Sequence, residues 1–191
     1  MNSLSREYLE RIAFNSSHVA TLRAIGEYKG KQELFTRQSP EALETLRNLA
    51  VVESTESSNR LEGITVGRER IEAIVLKSTR PKDRSEQEVA GYRDALTLIH
   101  ESWEALPFNI NTVKQLHSIM YRYLPAEEGG KWKEKDNLIT AEFPDGTKRI
   151  RFRPVSAVDT PRSMELLIER YDRAIEDGRD PLVIVPLAVF D

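Results

Sequence analysis

The chain contains no cysteine, which removes disulfides, thiolate nucleophiles and cysteine-ligated zinc at once. A reducing compartment fits that composition. No apolar run approaches the roughly 20 residues that a membrane helix needs. The opening residues Met1-Asn2-Ser3-Leu4-Ser5-Arg6-Glu7 lack the apolar stretch of a secretory signal, so a cytoplasmic location with no membrane partner is expected. Neither sign of charge dominates: 28 Lys and Arg face 31 Asp and Glu, for a net charge of -3. That balance leaves no electrostatic footprint for a nucleic-acid partner. There is no glycine-rich phosphate loop, no Gly-x-Ser-x-Gly elbow and no paired-carboxylate signature. His18, His100 and His117 show no metal-ligand spacing and are assigned structural roles. The residues present thus supply no catalytic set and no metal site.

What the chain does contain is helical periodicity. Its 191 residues, 39% of them hydrophobic, suffice for one sizeable core or for a domain with an appendage. From Pro40, the spacing of Leu43, Leu46, Leu49 and Ala50 predicts a helix with Ser39 as its N-cap, running to about Leu61 and stopped at Gly63. Arg68 to Lys77 reads as a shorter helix with Ile71, Ile74 and Val75 on one face. The interruption Thr79-Arg80-Pro81-Lys82-Asp83 is the best internal boundary, dividing the chain into an N-terminal helical region (1–80) and a second region (81–191). Ser85 and Glu88 are spaced as a capping box, opening a helix to about Leu106 with Val89, Tyr92, Leu96 and Ile99 on one stripe. Asn111 is expected to cap Thr112 to Tyr123, and a further helix spans about Thr160 to Glu176, with Pro161 near its start and Gly178 past its end.

Two segments depart from this rhythm. Leu138 to Phe143 and Lys148 to Arg153 are β-prone and flank Pro144-Asp145-Gly146-Thr147, predicting one β-hairpin. Leu182 to Phe190 is the longest apolar stretch and reads as a buried core segment. It runs directly into Asp191, and an apolar face of that kind needs neighbouring structure to cover it, so the expectation is of a truncated chain.

The segment Ser58-Asn59-Arg60-Leu61-Glu62-Gly63 sets Ser58 and Glu62 at i and i+4, on one helical face, with a glycine suited to a left-handed cap. Glu62 then lies at a helix C-terminus, where the macrodipole disfavours negative charge by a few tenths of a kcal/mol. On spacing alone, a solvated surface glutamate accounts for it. This segment resembles the inhibitory motif [Ser/Thr]-x-x-x-Glu-[Gly/Asn] of the Fic family. The following segments resemble the family in order: Glu88-Val89-Ala90-Gly91-Tyr92-Arg93, Leu116-His117-Ser118-Ile119-Met120, Gly129-Gly130-Lys131-Trp132-Lys133, the hairpin, and Pro181 to Leu187.

The resemblance covers about Leu22 to Asp191. It implies a mostly α Fic-type core, cut short, with an inhibitory helix over about 41–62 and a flap hairpin over about 137–153. It further implies an enzyme that transfers AMP from ATP to a protein hydroxyl with Mg2+. The family motif His-Pro-Phe-x-[Asp/Glu]-Gly-Asn-Gly-Arg is absent from these residues, so no catalytic residue is carried over, the chain alone is expected to be inactive, and neither ATP nor metal is expected to bind it tightly. In the resemblance Glu62 is the inhibitory glutamate competing with the γ-phosphate, Ser58 and Gly63 belong to the same regulatory motif, and Asn137, Leu138, Ile139, Thr140 and Ala141 dock a target protein by strand addition. Self-association into a homo-oligomer is compatible with this reading. Trp132 is expected to be buried beside solvated Lys131 and Lys133. Alternatives are a de-AMPylating hydrolase on the same scaffold and, in a different class, a non-catalytic helical module that binds or restrains another protein.

Overall fold

The computed structural model describes residues 3–36, 40–77, 79–125 and 129–191. Its helices are α1 (Arg6–Glu10), α2 (Ser16–Thr36), α3 (Pro40–Leu61), α4 (Arg68–Lys77), α5 (Arg84–Ser102), α6 (Ile110–Met120), α7 (Thr160–Glu176) and α8 (Pro181–Phe190), with a 3-10 turn over Trp103–Ala105. The strands β1 (Ile139–Glu142) and β2 (Lys148–Phe152) form one antiparallel hairpin. The fold is therefore mostly helical with a single hairpin, as the periodicity predicts. The chain divides into two compact units, one comprising 1–11, 106–115 and 130–191, the other 12–105 and 116–129.

In the second of these units α3, α4 and α5 pack on one another. Ile74, Val89 and Ala90 are fully buried, and Ile64, Val66 and Tyr123 close over them. Burying an isoleucine of this kind stabilises the fold by about 1.5–3 kcal/mol. Polar ties reinforce the packing. Arg93 donates from Nη1 to the Ile74 carbonyl (2.8 Å) and from Nη2 to Asp94 (2.6 Å), while Tyr123 donates its hydroxyl to Asp94 (2.9 Å). One contact is set by the absence of a side chain: a Cβ on Gly91 would stand 2.0 Å from the carbonyl oxygen of Met120. Only glycine allows α5 to approach the end of α6 so closely.

Several local expectations are corrected. The apolar positions early in α3 are not its buried face, since Leu46 and Leu49 are exposed and burial falls on Val52, Thr55 and Asn59. The proposed cap Ser39 lies outside the described residues. Helix α5 is capped by Asp83, not Ser85, with the Asp83 carboxylate accepting from the Glu86 amide (2.9 Å). The box therefore starts two residues earlier. Its acid, Glu86, is buried and turns to Arg70 (2.8 and 2.6 Å) and to the Lys82 amide (2.8 Å). This guanidinium and the Lys82 N–H hold the Glu86 carboxyl down at about 2. The α-helix ends at Ser102, short of Leu106. Helix α6 takes its cap from Asn109, not Asn111, through the Thr112 amide (2.9 Å), and ends at Met120 before Tyr123.

In the other unit α7 packs on α8, and Leu4, Leu9, Ile168, Ala174 and Ile184 are buried. Ser3 closes this unit by donating its amide (2.9 Å) and its hydroxyl (2.7 Å) to the Asp191 carboxylate. The stretch 182–190 is a helix, but it is not buried as expected. Ile184 alone is fully covered, whereas Leu182, Val185, Val189 and Phe190 are exposed. Trp132 is half-buried rather than buried, and the ammonium of Lys114, not of its flanking lysines, lies over its ring at 5.3 Å. No described helix is long and apolar enough to cross a membrane.

Candidate functional site

The end of α3 is built by backbone hydrogen bonding. The Ile64 amide donates to the Asn59 carbonyl (2.9 Å) and the Gly63 amide to the Arg60 carbonyl (3.0 Å), the paired bonds of a Schellman cap. Gly63 sits at φ 80°, in the left-handed region where a Cβ is penalised. Asn59 anchors the cap from inside, being buried and donating its side-chain amide to the Thr55 carbonyl (2.8 Å). Glu62 is held only through its own N–H, which donates to Asn59 (3.1 Å), and its side chain is exposed with no hydrogen-bond or ion-pair partner among the described residues. The structure thus places Ser58, Glu62 and Gly63 together at one helix terminus.

Ser58 and Glu62 face a cavity of about 490 Å³ within the same unit. Tyr92 of α5 lines it and donates its hydroxyl to Ser58 Oγ (3.1 Å), fastening the last turn of α3 to α5. Arg84 and Glu88 form another side of the wall and pair with each other at 3.0 Å. His117 and Tyr121 complete the polar lining, their rings 4.6 Å apart, above an apolar floor that includes Ile64, Met120 and Leu124. By sequence pattern Tyr92 belongs to a packing stripe, Glu88 to a cap and His117 to a plain structural role. The signal that unites them is their position on the second and third segments of the resemblance, which the fold brings against the first. The other histidines lie elsewhere: His18 accepts from and donates to Asn15 at the start of α2, and His100 is exposed.

The donors around this cavity do not by themselves suit Mg2+-ATP. Two carboxylates face it, its arginine is already engaged by Glu88, and among the described residues no cluster of three or more His, Asp or Glu could hold a metal. A triphosphate needs convergent N–H groups and unneutralised cations, which these walls do not offer.

The hairpin forms the second candidate element. Ile139 pairs with Phe152, Thr140 with Ile150, Ala141 with Arg149 and Glu142 with Lys148, with a bulge between Ile139 and Thr140. Its turn is closed by the Gly146 amide donating to the Phe143 carbonyl (2.8 Å) and by Asp145, which accepts from the Thr147 hydroxyl (2.7 Å) and amide (2.9 Å). Those two bonds draw the Asp145 carboxyl below its ordinary value. Asn137 and Leu138 precede β1, and Ile139 to Ala141 lie on it. Since the sheet has two strands, the outer edge of β1 carries no ladder partner among the described residues.

No protein-family model matches this chain, and no curated protein is significantly similar to it in sequence. A solved structure does match: that of a Fic-domain-containing signalling protein from Bacteroides thetaiotaomicron, at a TM-score of 0.65 over 81% of this chain and with 18% sequence identity. The chain spans 57% of that protein's length. What this likeness shows is the fold, a mostly helical chain with one hairpin in the arrangement seen in a Fic-domain protein.

Proposed function

We propose that these residues serve a Fic-type protein adenylyltransferase, which moves AMP from ATP to a hydroxyl of a target protein, and that they supply its restraint and its target docking. The catalytic motif would come from sequence outside these residues, since none of its members is among them. The observation that carries the reading is the cap at Gly63, which presents the unpartnered Glu62 carboxylate at the edge of the cavity. The Fic-like fold supports it. A carboxylate at that place repels a polyphosphate and offers a partner to an incoming arginine, so an enzyme containing it is held in a low-activity state. Ser58, tied to Tyr92, keeps the helix end seated, and the free edge of β1 at Asn137 to Ala141 aligns an extended target segment.

The test is AMP transfer by the natural gene product with α-labelled ATP and Mg2+. Glu62→Gly should raise labelling of the protein or its target by about tenfold or more, the factor that corresponds to 1.4 kcal/mol. Unchanged labelling in a variant that still binds Mg2+-ATP would remove the inhibitory role.

A further inference from the structure

The hairpin carries a concentration of positive charge that the chain as a whole does not. Strand β2 and the residue after it hold Lys148, Arg149, Arg151 and Arg153 within an otherwise acidic protein of net charge -3. Lys148 is neutralised by Glu142 at 3.3 Å, and Asp145 is occupied by Thr147. Among the described residues no carboxylate pairs with Arg149, Arg151 or Arg153, and all three are exposed.

Arg149 is also aimed. It stands opposite Ala141 in the ladder, and its guanidinium lies over the ring of Phe143, 5.4 Å from the centroid. Phe143 follows directly on β1 and donates its amide to the Thr147 carbonyl (3.0 Å), so the alternation of strand side chains carries on to it and sets it on the face of Ala141. The cation is therefore drawn diagonally off β2 and over the β1 side of the hairpin, past a methyl group too small to block it. A strand added to the outer edge of β1 would place alternate side chains within reach of this guanidinium.

We infer that the partner of this edge is an acidic extended peptide segment, whose backbone pairs with β1 and whose Asp or Glu side chains meet Arg149, with Arg151 and Arg153 supplying the surrounding positive field. The inference deepens the target-docking reading above and rests on it. A nucleic acid is the lesser fit: three free arginines on one short hairpin of an acidic chain make a small phosphate-binding surface, whereas an unpaired strand edge is a peptide feature.

The experiment uses the whole 191-residue chain and fluorescent extended peptides matched in length, with alternating Glu/Thr, Gln/Thr or Lys/Thr, read by anisotropy. The acidic peptide should bind about tenfold or more tightly than the Gln peptide, and that preference should vanish in Arg149→Glu/Arg151→Glu and shrink in Arg149→Gln/Arg151→Gln and at raised salt. Equal binding of the acidic and neutral peptides, or no acidic binding at millimolar peptide, overturns the inference, as does tighter binding of a single-stranded oligonucleotide. Alternate N-methylation of the acidic peptide separates the two readings. Loss of binding supports pairing along β1. Retained binding that still depends on Arg149 keeps the charge recognition and removes strand addition.

Discussion

Gly91 shows how one missing methyl group sets the distance between two helices. Its absent Cβ would overlap the Met120 carbonyl carbon (2.7 Å) and oxygen (2.0 Å), and both are backbone atoms. Rotamer adjustment cannot relieve such a clash, so the helices themselves must separate. Gly91→Ala is expected to lower stability by about 3 kcal/mol, the upper end of overpacking costs. The measurement is the urea midpoint, which should fall with little change in m. The position is also a lesson in legibility. Within the sequence Gly91 is a helix-weakening glycine in the middle of a strong apolar pattern, and nothing in periodicity says what it touches. The same limit hid Glu86. Its i, i+3 relation to Asp83 is readable as a cap, but its bonds to Arg70 bridge a turn whose path the sequence does not specify.

Among the elements, the helix ends show what local chemistry does and does not specify. Pro40 to Leu61, Arg68 to Lys77, Thr160 to Glu176 and the hairpin all form where pattern and turn residues place them. Caps are less legible. Asp83 and Ser85, or Asn109 and Asn111, are equally competent by residue type, and tertiary contacts choose between them. The buried side of α3 is hidden from the pattern for a related reason. Leu46 and Leu49 are exposed, while burial falls on Thr55 and Asn59, whose polarity conceals it. At the other end of α3 the glycine signal was sufficient. A Cβ at Gly63 would touch nothing within 4 Å, so the penalty for Gly63→Ala is conformational alone. It should cost about 1 kcal/mol. Hydrogen exchange should report it as faster exchange at the Gly63 and Ile64 amides, with the amides of α4 and α5 less affected. Arg68 of α4 ties α3 to α4 more loosely, reaching Glu53 and Glu56 of α3 at 3.7 and 3.5 Å while pairing within α4 with Glu72 at 3.3 Å. These exposed pairs contribute little and should be weakened further by salt.

For the molecule as a whole, one buried carboxylate, Glu86, links stability to acid pH. Glu86 has its pKa depressed from 4.5 to about 2 by Arg70 and the Lys82 amide. In the interval between these values the unfolded chain binds more protons than the folded one, so stability rises with pH. The contribution is complete above about pH 4.5 and is lost as the pH falls through about 2. Thermal unfolding followed from pH 7 to pH 2 should show a steeper decline below pH 4.5 in the natural chain than in Glu86→Gln, which starts less stable at neutral pH. Equal slopes would mean that other carboxylates carry the acid response. At this scale the fold class was readable, because it depends on the number and type of elements. The cavity was not, because it depends on which segments of a long chain return to each other: Ser58 and Tyr92 are 34 positions apart, yet they share a hydrogen bond.

The cap at Gly63 has an evolutionary consequence. The backbone of residue 62 completes the helix, but its side chain contributes no bond to any described residue. Selection can therefore rewrite the charge, length or polarity of that side chain without renegotiating the fold around it. Side chain and architecture are inherited at the same address but mutate independently, so descendants of this sequence can change what residue 62 presents to the cavity while remaining the same folded object.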